Sequence, residues 1–87
     1  MINLSNIIIV LPGGFGTLDE LLDIMALNYL GLNNKKIIIL NLNRYWDPLK
    51  NLIVNMQKNE FVDDVKKCHL YYFNTVDKTM KFIEKNL

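Results

Sequence analysis

The feature that most constrains this chain is a run of five large apolar residues, Ile7 to Leu11, that leads directly into a glycine-rich loop. A run of β-branched residues without polar alternation is typical of a strand that is covered on both faces. The loop from Pro12 to Gly16 contains three glycines, which permit positive φ angles and a close approach of the backbone to a ligand. The segment therefore predicts a buried strand followed by a loop of the kind that binds ligands.

Three stretches of the chain have the apolar spacing of amphipathic helices. The first is predicted to open at Thr17 and to stop at Gly31. In the second, Asp47 is expected to cap a helix that has Pro48 at its first position, and Thr75 is expected to cap the third. The side chains expected to face the core are Leu18, Leu21, Leu22, Met25 and Tyr29, then Leu49, Leu52, Ile53 and Met56, and then Val76, Met80 and Ile83.

Two further apolar segments alternate with these helices. Ile37 to Leu40 predicts a second buried strand, and Leu70 to Phe73 predicts a weaker third one. Strands that alternate with helices across short connections indicate an α/β fold, a parallel sheet of about three strands with alternating helices. Right-handed crossovers would bring the carboxyl ends of the strands to one edge, where α/β proteins bind ligands. We interpret residues 1–87 as a single domain or one half of a domain.

Composition excludes several other classes of protein. The net charge of +1 gives no overall attraction to nucleic acid or membrane, and the lysines are scattered. Cys68 is the only cysteine, which rules out an internal disulfide and a cysteine-rich zinc site. No stretch resembles a signal peptide or a membrane span, so we expect a cytoplasmic protein. A hydrophobic content of 51% in a chain of 87 residues indicates that some apolar faces meet a partner or further sequence.

The glycine loop is the candidate site of chemistry. A glycine-rich turn between a buried strand and a helix presents backbone N–H groups at the positive end of the helix dipole, which suits phosphate. The predicted phosphate ligands are the amides of Gly13, Gly14 and Gly16, together with the Thr17 hydroxyl. The loop lacks the lysine of a Walker A motif, and Asp19 occupies the last glycine position of a dinucleotide fingerprint. ATP hydrolysis and NAD chemistry are therefore disfavoured.

Pro12 to Glu20 reads P-G-G-F-G-T-L-D-E, which matches the P-G-G-x-G-T-x-x-E motif of the LOG family, proteins often labelled as lysine decarboxylases. The similarity continues downstream. Gly31 lies where the family has a Leu-Gly helix end, Asn41 to Leu49 resembles its Asn-x-x-x-Tyr-Tyr-x-x-Leu stretch, and Asn59 to Val62 resembles its Glu-Gly-Phe-Ile segment. The chain thus resembles the C-terminal half of a Rossmann-like LOG fold.

This resemblance implies hydrolysis of the N-glycosidic bond of a nucleoside 5′-monophosphate, a cytokinin nucleotide or AMP, to free base and ribose 5-phosphate. It implies that Gly13, Gly14, Gly16 and Thr17 hold the 5′-phosphate, and that Glu20 is the catalytic carboxylate. A carboxylate beside the anomeric carbon stabilises an oxocarbenium-like transition state and can orient the attacking water. No metal or cofactor is required, and the family implies a homodimer.

Other interpretations remain open. Thr17-x-x-Glu20 also has the spacing of a capping box, in which two side chains satisfy backbone amides at a helix start. The family's catalytic arginine, in a Met-x-x-Arg-Lys segment, has no counterpart before the loop, and Arg44 lies in a different loop. We therefore expect a partial active site. The alternatives to hydrolysis are a module that binds a nucleotide or sugar phosphate without turnover, and an inactive fragment that only mediates assembly.

Overall fold

Three parallel strands form the centre of the computed structural model, which describes residues 1–87. Two short 3₁₀ turns, Leu42–Arg44 and Val65–Cys68, lie in the connections. The strands and helices are β1 (Ile2–Asn3), β2 (Ile7–Val10), α1 (Phe15–Tyr29), β3 (Lys36–Leu40), α2 (Asp47–Lys58), β4 (Leu70–Phe73) and α3 (Val76–Asn86). None of the helices is both long and apolar enough to cross a membrane.

The predicted α/β class and parallel sheet are confirmed, but the sheet has four strands rather than about three. Its order is β1-β2-β3-β4, with β2, β3 and β4 parallel and β1 antiparallel to β2. The extra strand is only two residues long, Ile2–Asn3, and both of its residues are exposed. A segment of that length carries no periodicity, so the sequence pattern could not reveal it.

The two faces of the sheet are covered by different helices. On one face, alternate strand residues pack in a core cluster with Leu21 and Met25 of α1 and with Ile53 of α2. On the other face, a smaller cluster includes Ile83 of α3. The strand residues of the first cluster are Ile8, Val10, Ile37 and Ile39, and those of the second are Ile7, Ile9 and Ile38. Burial on both faces explains why these strands are continuously apolar.

The helix ends follow the predictions in part. Gly31 has a φ of 76°, and its N–H donates to the Asn28 carbonyl at 3.0 Å, so the predicted stop at Gly31 is confirmed. Thr75 caps α3, because its hydroxyl accepts a hydrogen bond from the Lys78 N–H at 3.2 Å. The predicted cap at Asp47 is wrong. Asp47 is the first residue of α2, and its carboxylate bonds side chains instead of the helix amides.

The buried faces of the helices are narrower than predicted. Leu22, Leu52, Val76 and Met80 were expected in the core, and each is exposed. Each helix packs against one face of the sheet and has no second layer of structure outside it, so these four side chains, which lie outside the buried face of their helix, do not reach the core. They face the solvent instead.

Asn28 is a buried polar residue that the apolar pattern did not indicate. Its side chain is 3% exposed, and its amide nitrogen donates to the carbonyls of Lys35 and Cys68, each at 2.9 Å. These two bonds connect the end of α1 to the segments that enter β3 and β4. The side chain therefore fixes the start of both strands relative to the helix.

We expect Asn28→Ala to lower the free energy of unfolding by about 2 kcal/mol, because it leaves two carbonyls of the protein interior without a donor. The measurement is the urea midpoint followed by circular dichroism. Asn51→Ala is the matched control, since Asn51 is exposed on α2. Equal midpoints for the two variants would contradict a structural role for the Asn28 amide.

Candidate functional site

The parallel strands bring three loops to one edge of the sheet, as the strand order predicted. Val10 is paired with Ile39, and Leu40 is paired with Phe73, so β2, β3 and β4 end side by side. The glycine loop follows β2, the loop 41–46 follows β3, and Asn74 follows β4. This edge is where α/β proteins bind their ligands.

At the N-terminus of α1, neither a capping side chain nor an acidic residue compensates the free backbone N–H groups and the helix dipole. Gly14 is the N-cap and provides no side-chain hydrogen bond. The N–H groups of Phe15, Gly16 and Thr17 donate to no acceptor within the chain. The first turn contains no acidic residue, because α1 begins at Phe15 and Asp19 lies beyond that turn. The positive end of the helix dipole is therefore open to an external anion.

The loop glycines differ in the space around each Cα atom, and none of them has a positive φ angle. Gly31 is the one glycine of the chain with a positive φ, so the loop glycines do not use the positive φ angles that glycine permits. A Cβ atom on Gly13 would overlap the Thr17 hydroxyl and lie 2.9 Å from the Thr17 Cβ atom. A Cβ atom on Gly14 or Gly16 would meet nothing within 4 Å. Packing therefore requires a glycine at position 13, whereas positions 14 and 16 border open space.

Thr17 and Glu20 lie on the first two turns of α1. The capping box is not formed, because α1 begins at Phe15 and Thr17 is already its third residue. Neither side chain makes a hydrogen bond to the protein, and Glu20 is exposed. Three residues apart, the two side chains project from neighbouring positions on the helix surface. The hydroxyl and the carboxylate are thus both available to a ligand at the glycine loop.

Tyr45 contacts the glycine loop from the neighbouring loop. Its hydroxyl donates a short hydrogen bond to the Gly13 carbonyl. Its ring lies edge-on against the buried Trp46 ring, with centroids 5.0 Å apart and an interplanar angle of 85°. The sequence pattern does not indicate this contact. The available signal was that the loops after β2 and β3 share an edge, but it did not specify which side chain makes the contact.

Asn41 and Asp47 hold the loop that carries Tyr45. The Asn41 side chain accepts from the Trp46 N–H at 2.6 Å and donates to the Asp47 carboxylate at 2.7 Å. The same carboxylate accepts from the Arg44 guanidinium at 2.6 Å. Hydrogen bonds from Asn41 and then from Arg44 hold the pKa of Asp47 below its ordinary value of 3.8. Arg44, the sole arginine of the chain, thus helps to hold this loop in place.

Comparison with known proteins agrees with this geometry. The family model described as "possible lysine decarboxylase" matches residues 1–85. A probable cytokinin riboside 5′-monophosphate phosphoribohydrolase of Oryza sativa subsp. japonica is 40% identical over 58 residues, which is 67% of this chain and 24% of the rice protein. The Rossmann-like half-sheet and its glycine loop define a LOG-type α/β protein. The chain belongs to the family described as possible lysine decarboxylase.

Bacterial relatives extend the match. A cytokinin riboside 5′-monophosphate phosphoribohydrolase of Mycobacterium marinum is 32% identical over 77 residues, which is 88% of this chain and 41% of that protein. A phosphoribohydrolase of the same name from Rhodococcoides fascians is 37% identical over 62 residues, 71% of this chain and 31% of the relative. The chain thus spans between about a quarter and two fifths of the length of these curated relatives.

The glycine geometry predicts opposite effects of two alanine substitutions on stability. Gly13→Ala places a methyl group against Thr17 and should lower the free energy of unfolding by about 1 to 3 kcal/mol. Gly16→Ala adds a methyl group in open space within a helix and should raise it by about 0.5 to 1 kcal/mol. Urea denaturation of both variants is the measurement. Destabilisation of equal size in both would contradict the assignment of open space at Gly16.

Proposed function

We propose that this chain provides the phosphate-binding loop and the catalytic carboxylate for hydrolysis of the N-glycosidic bond of a nucleoside 5′-monophosphate. The products are the free base and ribose 5-phosphate. One observation carries the proposal. The start of α1 has free N–H groups, no acidic residue in its first turn and no side chains at Gly14 and Gly16, where it borders open space. The names of the curated relatives, cytokinin riboside 5′-monophosphate phosphoribohydrolases, support a cytokinin nucleotide as the substrate, and we propose AMP as the alternative.

The 5′-phosphate would occupy the open space at the start of α1. The backbone N–H groups of Gly14 and Gly16 and the hydroxyl of Thr17 are its proposed donors, and the helix dipole adds to their attraction. Gly13 would contribute by allowing Thr17 to pack against the loop backbone. Binding the phosphate fixes the position of the ribose, which is the main contribution such a loop can make to catalysis.

Glu20 would act on the ribose itself. Its carboxylate lies one helical turn beyond Thr17, is exposed and is not engaged by any cation of the chain. Departure of the base leaves positive charge on the anomeric carbon and ring oxygen, and a nearby carboxylate stabilises that charge. The same carboxylate can accept a proton from the attacking water and pass it to the departing nitrogen of the base, so that a C–O bond replaces the C–N bond and the base leaves in neutral form. These two steps require neither a metal nor a cofactor.

Binding of a nucleotide or sugar phosphate without turnover is the second candidate function. The observation that favours it is the engagement of Arg44, the sole arginine, in the ion pair with Asp47. The single guanidinium of the chain is thus paired with a carboxylate in the loop after β3, which weakens its ability to stabilise the departing base. The two candidates share the phosphate site and differ in whether the glycosidic bond breaks.

The test is release of free base from AMP and isopentenyl-AMP by the chain, measured by chromatography. We expect Glu20→Gln to reduce base release by about 100-fold or more, because it removes the charge that stabilises the transition state. Glu84→Gln is the matched control, since Glu84 is an exposed glutamate on α3. Calorimetry with AMP should give equal affinity for Glu20→Gln and the unsubstituted chain.

The outcomes separate the candidates. AMP binding without base release selects the binding module, whereas base release that persists in Glu20→Gln contradicts the assigned catalytic role. Gly16→Ala should weaken AMP binding by about tenfold although it stabilises the fold, since its methyl group enters the proposed phosphate site. An unchanged AMP affinity in Gly16→Ala would overturn the placement of the phosphate.

We also propose that the protein acts in the cytoplasm as a homodimer through the outer face of α1. Phe15, Leu22 and Leu30 lie on that face and are 91%, 43% and 66% exposed. Apolar groups spaced along one helix are typical of a face that pairs with another helix. Leu22→Lys should shift the chain from dimer to monomer in sedimentation velocity, with Asp23→Lys as the control on the same helix. A monomer before substitution would contradict this assembly.

A further inference from the structure

A second crevice opens at the carboxyl edge of the sheet, between β3 and β4. The chain leaves β3 toward α2 on one face of the sheet and leaves β4 toward α3 on the other face. Where neighbouring strands send their connections to opposite faces, the loops diverge and leave a crevice that α/β proteins use for ligands. This crevice is separate from the glycine loop, which follows β2.

The crevice is a cavity of about 610 Å³ with a positive lining. Three cationic side chains border it, and they are Arg44, Lys50 and Lys78. Asp47 is the single carboxylate of the lining, and both of its oxygens already accept hydrogen bonds from the protein. The formal charge of the lining is therefore +2, and no carboxylate remains free to repel an anion.

The two lysines are held at the crevice by contacts with their neighbours. The Lys50 ammonium lies 5.0 Å from the centre of the Tyr72 ring, and the Lys78 ammonium lies 3.5 Å from the Asn74 side-chain oxygen. Held in this way, they lose less conformational freedom on binding than freely extended lysines do.

Arg44 is placed at the crevice by an unusual backbone. Its φ is 59°, directly after a φ of 52° at Asn43, and left-handed angles are costly for residues other than glycine and asparagine. Its side chain is 86% exposed although its Nε atom bonds Asp47. The remaining guanidinium nitrogens make no hydrogen bond to the protein and stay available as donors. Backbone strain of this kind concentrates at functional sites.

We propose that the β3–β4 crevice binds a phosphate group, free or as a phosphate monoester, through Arg44, Lys50 and Lys78. A phosphate monoester carries a charge of about −1.5 to −2 at neutral pH, which matches the lining, whereas a carboxylate carries only −1. The fork of donors on a guanidinium suits the oxygens of a phosphate. Asn41 and Asn74 add polar side chains to the lining.

The test is a nuclear magnetic resonance titration of the ¹⁵N-labelled chain with inorganic phosphate at constant ionic strength. We expect saturable shifts of the amides of Asn74, Thr75 and Lys78, and no such response to acetate. Lys50→Gln/Lys78→Gln should weaken this binding by about tenfold or more. Lys81→Gln/Lys85→Gln removes the same charge from exposed positions of α3 outside the crevice, and should change the binding by about twofold or less.

Each other result overturns the proposal. Absence of saturable shifts at these amides would show that the crevice binds no phosphate. Equal weakening of phosphate binding in the control variant would show that the attraction depends only on the overall charge. An equal response to acetate would exclude selectivity for phosphate. The amides of Gly14 and Gly16 report the glycine loop in the same spectra, so failure at one site can be distinguished from failure at the other.

Discussion

Parallel pairing of β2, β3 and β4 is the interaction on which the rest of this structure depends. The side chains of β2 and nearly all of those of β3 are buried on both faces of the sheet, and those of β4 are partly buried. Burial of one large aliphatic side chain contributes roughly 1.5 to 3 kcal/mol. α1 and α2 pack on one face of this small sheet and α3 packs on the other, and α1 is also bonded through Asn28 to the segment before β4. A loss of strand pairing would therefore remove the main apolar surface against which each helix packs.

The same pairing creates the functional edge. Because the strands are parallel and end in register, the loops that follow them lie next to one another. Asn41 then stiffens the middle loop, and Tyr45 ties that loop to the carbonyl of Gly13. Both proposed sites, the phosphate site at α1 and the second site between β3 and β4, thus border the loop 41–46. Tyr45 of this loop contacts the glycine loop, and Arg44 lines the crevice between β3 and β4.

The small size of the sheet also explains the unusual surface. Each helix covers the three short strands with one side of its surface, and the remaining apolar residues are left outside. On α1, Leu21 and Met25 are buried, whereas Leu22 and Leu30 are exposed. A helix that is apolar on two faces can contact its own sheet and a second surface at once. α1 therefore contributes both to the core of the fold and to the proposed dimer contact.

The sequence by itself determined the α/β class, the span of β4, the cap at Thr75, the stop at Gly31 and the motif that identifies the family. These features depend on residues close together in the chain, where apolar period, capping and turn chemistry act locally. Only the tertiary structure decided the early start of α1, which removed the capping box. It also decided the contact of Tyr45 with Gly13, 32 residues away, and the gathering of charged side chains at the crevice. Such contacts arise when packed strands bring distant segments together, and no local sequence pattern predicts which side chains will then be in contact.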